Sequence, residues 1–99
     1  MKLSFSDEAK VELQSIVDWI AKDDPVKAFA YLKELHESCA KILDFPESFP
    51  VVSRYGTSNI RRKVHGPYLI FYVVEEQAIK ITHVIHGSRD YEELLFPKA

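Results

Sequence analysis

Residues 65–95 read HGPYLIFYVVEEQAIKITHVIHGSRDYEELL, and this stretch decides the fold. Tyr68 to Val74 is an almost unbroken run of β-branched and aromatic residues, the composition of a strand apolar on both faces. Glu75-Glu76-Gln77 forms a polar turn. Ala78 to Ile85 then alternates, with Ile79, Ile81, His83 and Ile85 on one face and Lys80, Thr82, Val84 and His86 on the other. Gly66-Pro67 joins the first of these strands to a short, basic one from Ile60 to Val64. The result is a three-stranded antiparallel meander whose middle strand is central and covered on one side. Gly87 ends it, a residue free to adopt angles that others resist, so the chain turns sharply out of the sheet. Asp90 to Leu95 reads as a last short helix capped by Asp90.

Working outward, the preceding residues supply the cover. Lys2 to Phe5 suits a short strand, and Ser6 then offers a helix N-cap, with Asp7 and Glu8 favouring the positive end of the dipole. Ala9, Leu13, Ile16, Val17 and Ile20 recur at helical spacing. Asp24 suits a second N-cap and Pro25 the first helical position, where its missing N–H costs nothing. Ala28, Phe29, Leu32, Leu35, Cys39, Ile42 and Leu43 form the apolar stripe of that second helix. So short a link makes an antiparallel helical hairpin. The prolines of Phe45-Pro46-Glu47-Ser48-Phe49-Pro50 mark a loop. The expected fold is α+β: an N-terminal strand and an antiparallel helical hairpin packed on a C-terminal antiparallel β-meander, in one domain spanning residues 1–99.

Composition narrows the function. The chain is 46% hydrophobic, enough for a packed core, and its formal charge of −2 argues against a uniformly basic nucleic-acid binder. Cys39 is the only cysteine, which excludes a disulfide framework and a thiolate zinc site and suits a reducing cytoplasm. No signal-peptide segment or membrane span is read, so the expectation is a cytoplasmic protein. With only Gly56, Gly66 and Gly87 in the chain, there is no phosphate loop. Glu75 and Glu76 are adjacent in a turn and do not converge as an acid/base pair. Cys39, on a helical apolar stripe, reads as core.

Three groups remain as candidate sites. Arg54, Arg61, Arg62, Lys63 and His65 form either an anion-binding edge or a strand edge kept from pairing by its charge. Strand alternation separates Arg61, Lys63 and His65 from Arg62. His83 and His86, three apart on a strand, point to opposite faces, and no carboxylate completes a metal site with them. His83 reads as a hydrogen-bonded core residue. Arg89, Asp90 and Tyr91 form either a turn with a helix cap or a phosphate-binding or catalytic corner beside His86.

The Lys2-Leu3-Ser4-Phe5-Ser6 start, the helical hairpin, the proline loop and the run from Arg61 to Leu95 together resemble the RelE/ParE superfamily of bacterial type II toxin–antitoxin toxins. The likeness spans essentially the whole chain. Its most specific parts are the strand from Gly66-Pro67-Tyr68 to Tyr72 and the corner His86-Gly87-Ser88-Arg89-Asp90, which is similar to the ParE branch. The resemblance implies two helices against an antiparallel sheet. RelE-like members cut mRNA on the ribosome with basic and tyrosine side chains on the open sheet face, whereas ParE-like members stall DNA gyrase with its DNA cut.

By that likeness Arg62 stands where RelE-like toxins place a lysine, and Arg89 matches their strand-end arginine. Leu69 stands where they place another catalytic arginine, Ile60 where they have a second lysine, and Leu95 where they have a helix tyrosine. Cleavage by the 2′-OH needs a base, an acid and cations for the developing charge, and losing the base alone costs about 10²–10⁴-fold. The implied function is a ParE-like toxin that inhibits gyrase by binding and is neutralised by a cognate antitoxin. Arg61, Arg62, His86 and Arg89 are its target- or antitoxin-binding candidates. The alternative is a ribosome-dependent endoribonuclease using Arg62, His86, Arg89 and Tyr91. Neither reading implies a cofactor or metal, and the antitoxin implies a hetero-oligomer.

Overall fold

The computed structural model describes residues 1–52 and 58–97. Strand β1 (Lys2–Phe5) leads into helix α1 (Asp7–Ala21) and helix α2 (Pro25–Lys41), which runs on into a 3₁₀ turn at Ile42–Asp44. Strands β2 (Arg61–His65), β3 (Tyr68–Val74) and β4 (Ala78–His86) come next, and a short helix α3 (Glu92–Leu95) ends the chain. The helix starts are built as the sequence expects. Ser6 Oγ accepts from the Ala9 N–H at 3.1 Å, and Asp24 Oδ1 accepts from the Lys27 N–H at 3.1 Å, each satisfying a donor the helix cannot.

The sheet has the order β1-β4-β3-β2. The meander pairs are antiparallel, and β1 adds a fourth strand parallel to β4, from Lys2 against Ala78 to Phe5 against Ile81. A parallel neighbour needs a long crossover, and here α1, α2 and the proline loop lie between the two strands. The helical hairpin covers one face. Ala9 and Ile16 from α1, Leu35 and Cys39 from α2, and Ile42 meet Ile70, Tyr72, Ile79, Ile81 and Val84 in one core.

Val84 corrects the expected alternation. Phe71 pairs with His83 but Tyr72 with Ile81, so Thr82 is an extra residue in β4. This bulge shifts the phase of the strand beyond it. Val84 therefore joins Ile79 and Ile81 under the helices, while His83 and Ile85 come into register with Phe71 and Leu69 on the other face. Phe29, expected in the core, is 76% exposed. The buried stripe of α2 runs through Ala28, Leu35 and Cys39, and Phe29 lies about 100° round the helix from Ala28.

The glycines flanking the meander turns divide their tasks in an unexpected way. Gly66 is the glycine with positive φ among the described residues, at 55°, and it makes the β2–β3 turn. Gly87 has no such angle. Its N–H donates to the Pro67 carbonyl at 2.8 Å, and a Cβ there would meet that oxygen at 3.3 Å. Close backbone approach, not an unusual angle, is what the corner asks of it.

The loop after α2 is held from the sheet. Arg61 Nη1 donates to the carbonyls of Glu47 at 2.9 Å and Phe49 at 2.7 Å, and the Tyr72 hydroxyl donates to the Pro46 carbonyl at 2.7 Å. In urea unfolding, Arg61→Ala is expected to cost about 1–3 kcal/mol and Tyr72→Phe about 1 kcal/mol. Burial pushes the Cys39 thiol up to about 11, so alkylation at pH 8 is expected only after unfolding, measured as label uptake with and without denaturant.

Candidate functional site

The alternation of β2 sends its basic residues to opposite faces, and the structure uses the two sets differently. On the helix side Arg61 grips the proline loop. Lys63 Nζ donates to the Ser38 carbonyl at 2.7 Å and sits 5.4 Å from the Phe49 ring centroid, and burial pushes its ammonium pKa down. His65 Nε2 pairs with Glu34 at 2.8 Å. These three tie β2 to α2 and the loop. Arg54 lies outside the described residues.

Arg62 faces the other way. It pairs with Phe71 in the ladder, and its Nη1 donates to the Tyr91 hydroxyl at 3.3 Å. The Tyr91 ring lies 5.0 Å from that of Phe71, so the segment leading into α3 folds over the open sheet face. Arg62 Nε is buried with no hydrogen-bond partner among the described residues, and the bond its Nη1 makes is a long one, to a neutral phenol. A guanidinium so placed is under-satisfied and favours an anionic acceptor. Leu69 and Ile85 pair beside Phe71 on this same face, which makes its centre apolar.

His86 belongs to the opposite face. It pairs with Tyr68, their rings 5.6 Å apart and nearly perpendicular. Its Nδ1 accepts from the Ser88 N–H at 3.1 Å and lies 2.7 Å from Ser88 Oγ. The acceptor role puts the proton of the neutral ring on Nε2. His86 and Arg62 therefore stand on different sides of the sheet, and the four residues named for RNA cleavage do not converge.

Arg89 stands between the two. It lines a cavity of about 330 Å³ with Trp19, Tyr68 and His86, a second beside α1 with Asp7, Glu8 and Glu12, and a third with Asp90, Tyr91 and Glu92. Among the described residues no acceptor holds its guanidinium. Five carboxylates line the hollows that Arg89 lines, so a phosphate reaching it meets a locally acidic field. Asp90 Oδ1 accepts from the Glu92 N–H at 3.1 Å, but the expected cap is displaced: Tyr91 is the N-cap of α3 and makes no side-chain cap, so Asp90 stands one residue before it.

Glu12 is the residue that sequence reading passed over. Its Oε1 accepts from the Val84 N–H at 3.0 Å, and its Oε2 lies 3.0 Å from His83 Nδ1. The one signal for it in the sequence is an acid three residues after buried Ala9 and beside Leu13. His83 is thus hydrogen-bonded as expected, though half-buried and out of the isoleucine phase. Among the described residues no three His, Cys, Asp or Glu side chains are grouped to hold a metal, and no helix is long and apolar enough to cross a membrane.

Against this geometry the comparisons with known proteins are decisive for kinship. The family model described as the ParE toxin of type II toxin-antitoxin system, parDE, matches residues 3–91. The chain belongs to the ParE toxin family. Among solved structures, a chain described as the chromosomal ParDE TA system from P. aeruginosa is similar with a TM-score of 0.73 and 17% identity, over 87% of this chain and 95% of that one. At that identity the likeness speaks for the fold. Compared with curated proteins, the chain finds no significant match.

Within this ParE-family fold, Glu12 is expected to hold α1 to the end of β4. Glu12→Ala strands the Val84 N–H, and thermal or urea unfolding is expected to show a loss of about 1–3 kcal/mol. Hydrogen exchange at Val84 should quicken in that variant.

Proposed function

We propose that this ParE-family chain is the toxin of a type II toxin–antitoxin pair, that it inhibits DNA gyrase by binding, and that a cognate antitoxin neutralises it in the cytoplasm within a toxin–antitoxin hetero-oligomer. The observation that carries this reading is the separation of Arg62 from His86 by the sheet. An RNA-cutting centre needs a base, an acid and cations around one phosphate. Here Arg62 and Tyr91 lie on one face, His86 lies on the other beside Tyr68, and Leu69 occupies the place where RelE-like toxins hold an arginine. The carboxylates around Arg89 further favour a protein partner over a nucleic-acid backbone.

Binding asks less of the same residues. Arg62, short of an anionic partner, is suited to a carboxylate on a protein surface, while Arg89, set among carboxylates, is suited to neutral acceptors such as a partner's backbone carbonyls. We assign them, with Arg61 and His86 as the remaining candidates, to contacts with gyrase or the antitoxin. Purified gyrase should lose supercoiling activity on adding the toxin and accumulate cut DNA. Arg89→Ala and Arg62→Ala should each require severalfold more toxin for the same effect. Unchanged supercoiling at about micromolar toxin contradicts the proposal.

One observation favours the second reading, a ribosome-dependent endoribonuclease. The Arg62–Tyr91 contact places a cation beside a phenol on the open face. That reading requires codon-positioned mRNA cuts in translating extracts, lost in Arg89→Ala or His86→Ala.

A further inference from the structure

A cavity of about 460 Å³ opens between the tip of the helical hairpin and the β2–β3 turn. Its lining brings Trp19, Tyr31, Pro67 and Tyr68 together with Asp23 and Asp24. The Tyr31 and Tyr68 rings lie 5.9 Å apart and tilted by 53°, so they form a corner and not a closed stack. Trp19 is 69% exposed, a large aromatic surface left to solvent beside that corner.

From this arrangement we propose that the cavity is a binding site for a basic side chain, lysine or arginine, of a partner protein. Three observations carry it. Aromatic ring faces attract a cation through their quadrupole, and three rings meet here. The walls between them are apolar and suit the hydrocarbon stem on which such a charge is carried. Lastly, the chain already shows a Trp19 face accepting this chemistry: the Lys22 ammonium sits 5.2 Å from its centroid.

The two aspartates complete the fit. Asp24 spends one carboxylate oxygen on the Lys27 N–H, and its other oxygen and the Asp23 carboxylate belong to the cavity lining. Lys27 also lines the cavity and Lys22 sits over Trp19, so the two carboxylates are matched by two resident ammonium groups, and a partner's cation enters by displacing Lys22 from the ring. A neutral or acidic side chain of equal length would gain the stem contacts alone. The site shares none of the cationic candidates assigned above, so it stands whether or not gyrase is the target.

Trp19 is the sole tryptophan and reports occupancy directly. The test is titration of Trp19 fluorescence with N-acetylarginine amide and N-acetyllysine amide, with N-acetylglutamine amide as the neutral control. Saturable change with the two cations and none with the control is expected. Asp23→Asn, at an exposed position that leaves the fold intact, should weaken binding about fivefold, and Tyr68→Leu at least as much. Lys22→Gln, which removes the resident competitor from Trp19, should tighten it. Tetramethylammonium, a cation without a stem, should bind more weakly than the amino-acid amides. The proposal is overturned if the cations give no saturable change, if the glutamine amide matches them, or if Asp23→Asn binds as the parent does.

Discussion

Strand β4 outruns its neighbour. Strand β1 ends at Phe5, opposite Ile81, while β4 continues to His86. The backbone edge beyond Ile81 would be left open, and an unpaired strand N–H held away from water is costly. Side chains at the start of α1 close it. Ser6 Oγ donates to the Thr82 carbonyl at 2.8 Å, and Glu12 takes the Val84 N–H. Much else depends on this join. It fixes α1 along the sheet edge beside the bulge at Thr82, whose register with β3 sets which face each later residue of β4 occupies. The Gly87 corner, Arg89 and the Tyr68 ring all take their positions from a strand end anchored in this way.

The local parts of the fold were legible in the sequence because local physics writes them. Ser6 before two acids and Asp24 before Pro25 mark helix starts wherever they occur, and both caps form. The strand run from Tyr68 to Val74 and the split of Arg61, Lys63 and His65 from Arg62 come from period-two geometry alone. The features that escaped reading depend on distant partners. The bulge at Thr82 carries no glycine or proline to announce it, and it turned Val84 inward against the expected phase. The parallel seat of β1 joins residues more than seventy positions apart. Phe29 has helical apolar spacing, yet the hairpin buries only the arc through Ala28, Leu35 and Cys39. The role of Gly87 is set by the Pro67 carbonyl, which no window around position 87 contains.

The site shows the same division. Its candidate residues could be named from sequence and resemblance, but which of them meet was not written there. Arg62 and Tyr91 come together because the segment into α3 folds back over Phe71, and His86 is carried to the other face by the register with Tyr68. A bound anion can be held by one well-placed guanidinium, whereas phosphodiester cleavage needs several groups around one centre. Under the proposed reading the arrangement serves the first of these. The chain belongs to the ParE toxin family, and the proposal adds to this a surface that grips a partner.

Expression in a bacterial host separates gripping from cutting most directly, through mRNA integrity and the DNA-damage response monitored after induction. A toxin acting by binding gyrase should leave mRNA intact while cells filament, induce the damage response and stop replicating DNA. Immediate translation arrest with codon-positioned mRNA cuts, and no damage response, would contradict the account.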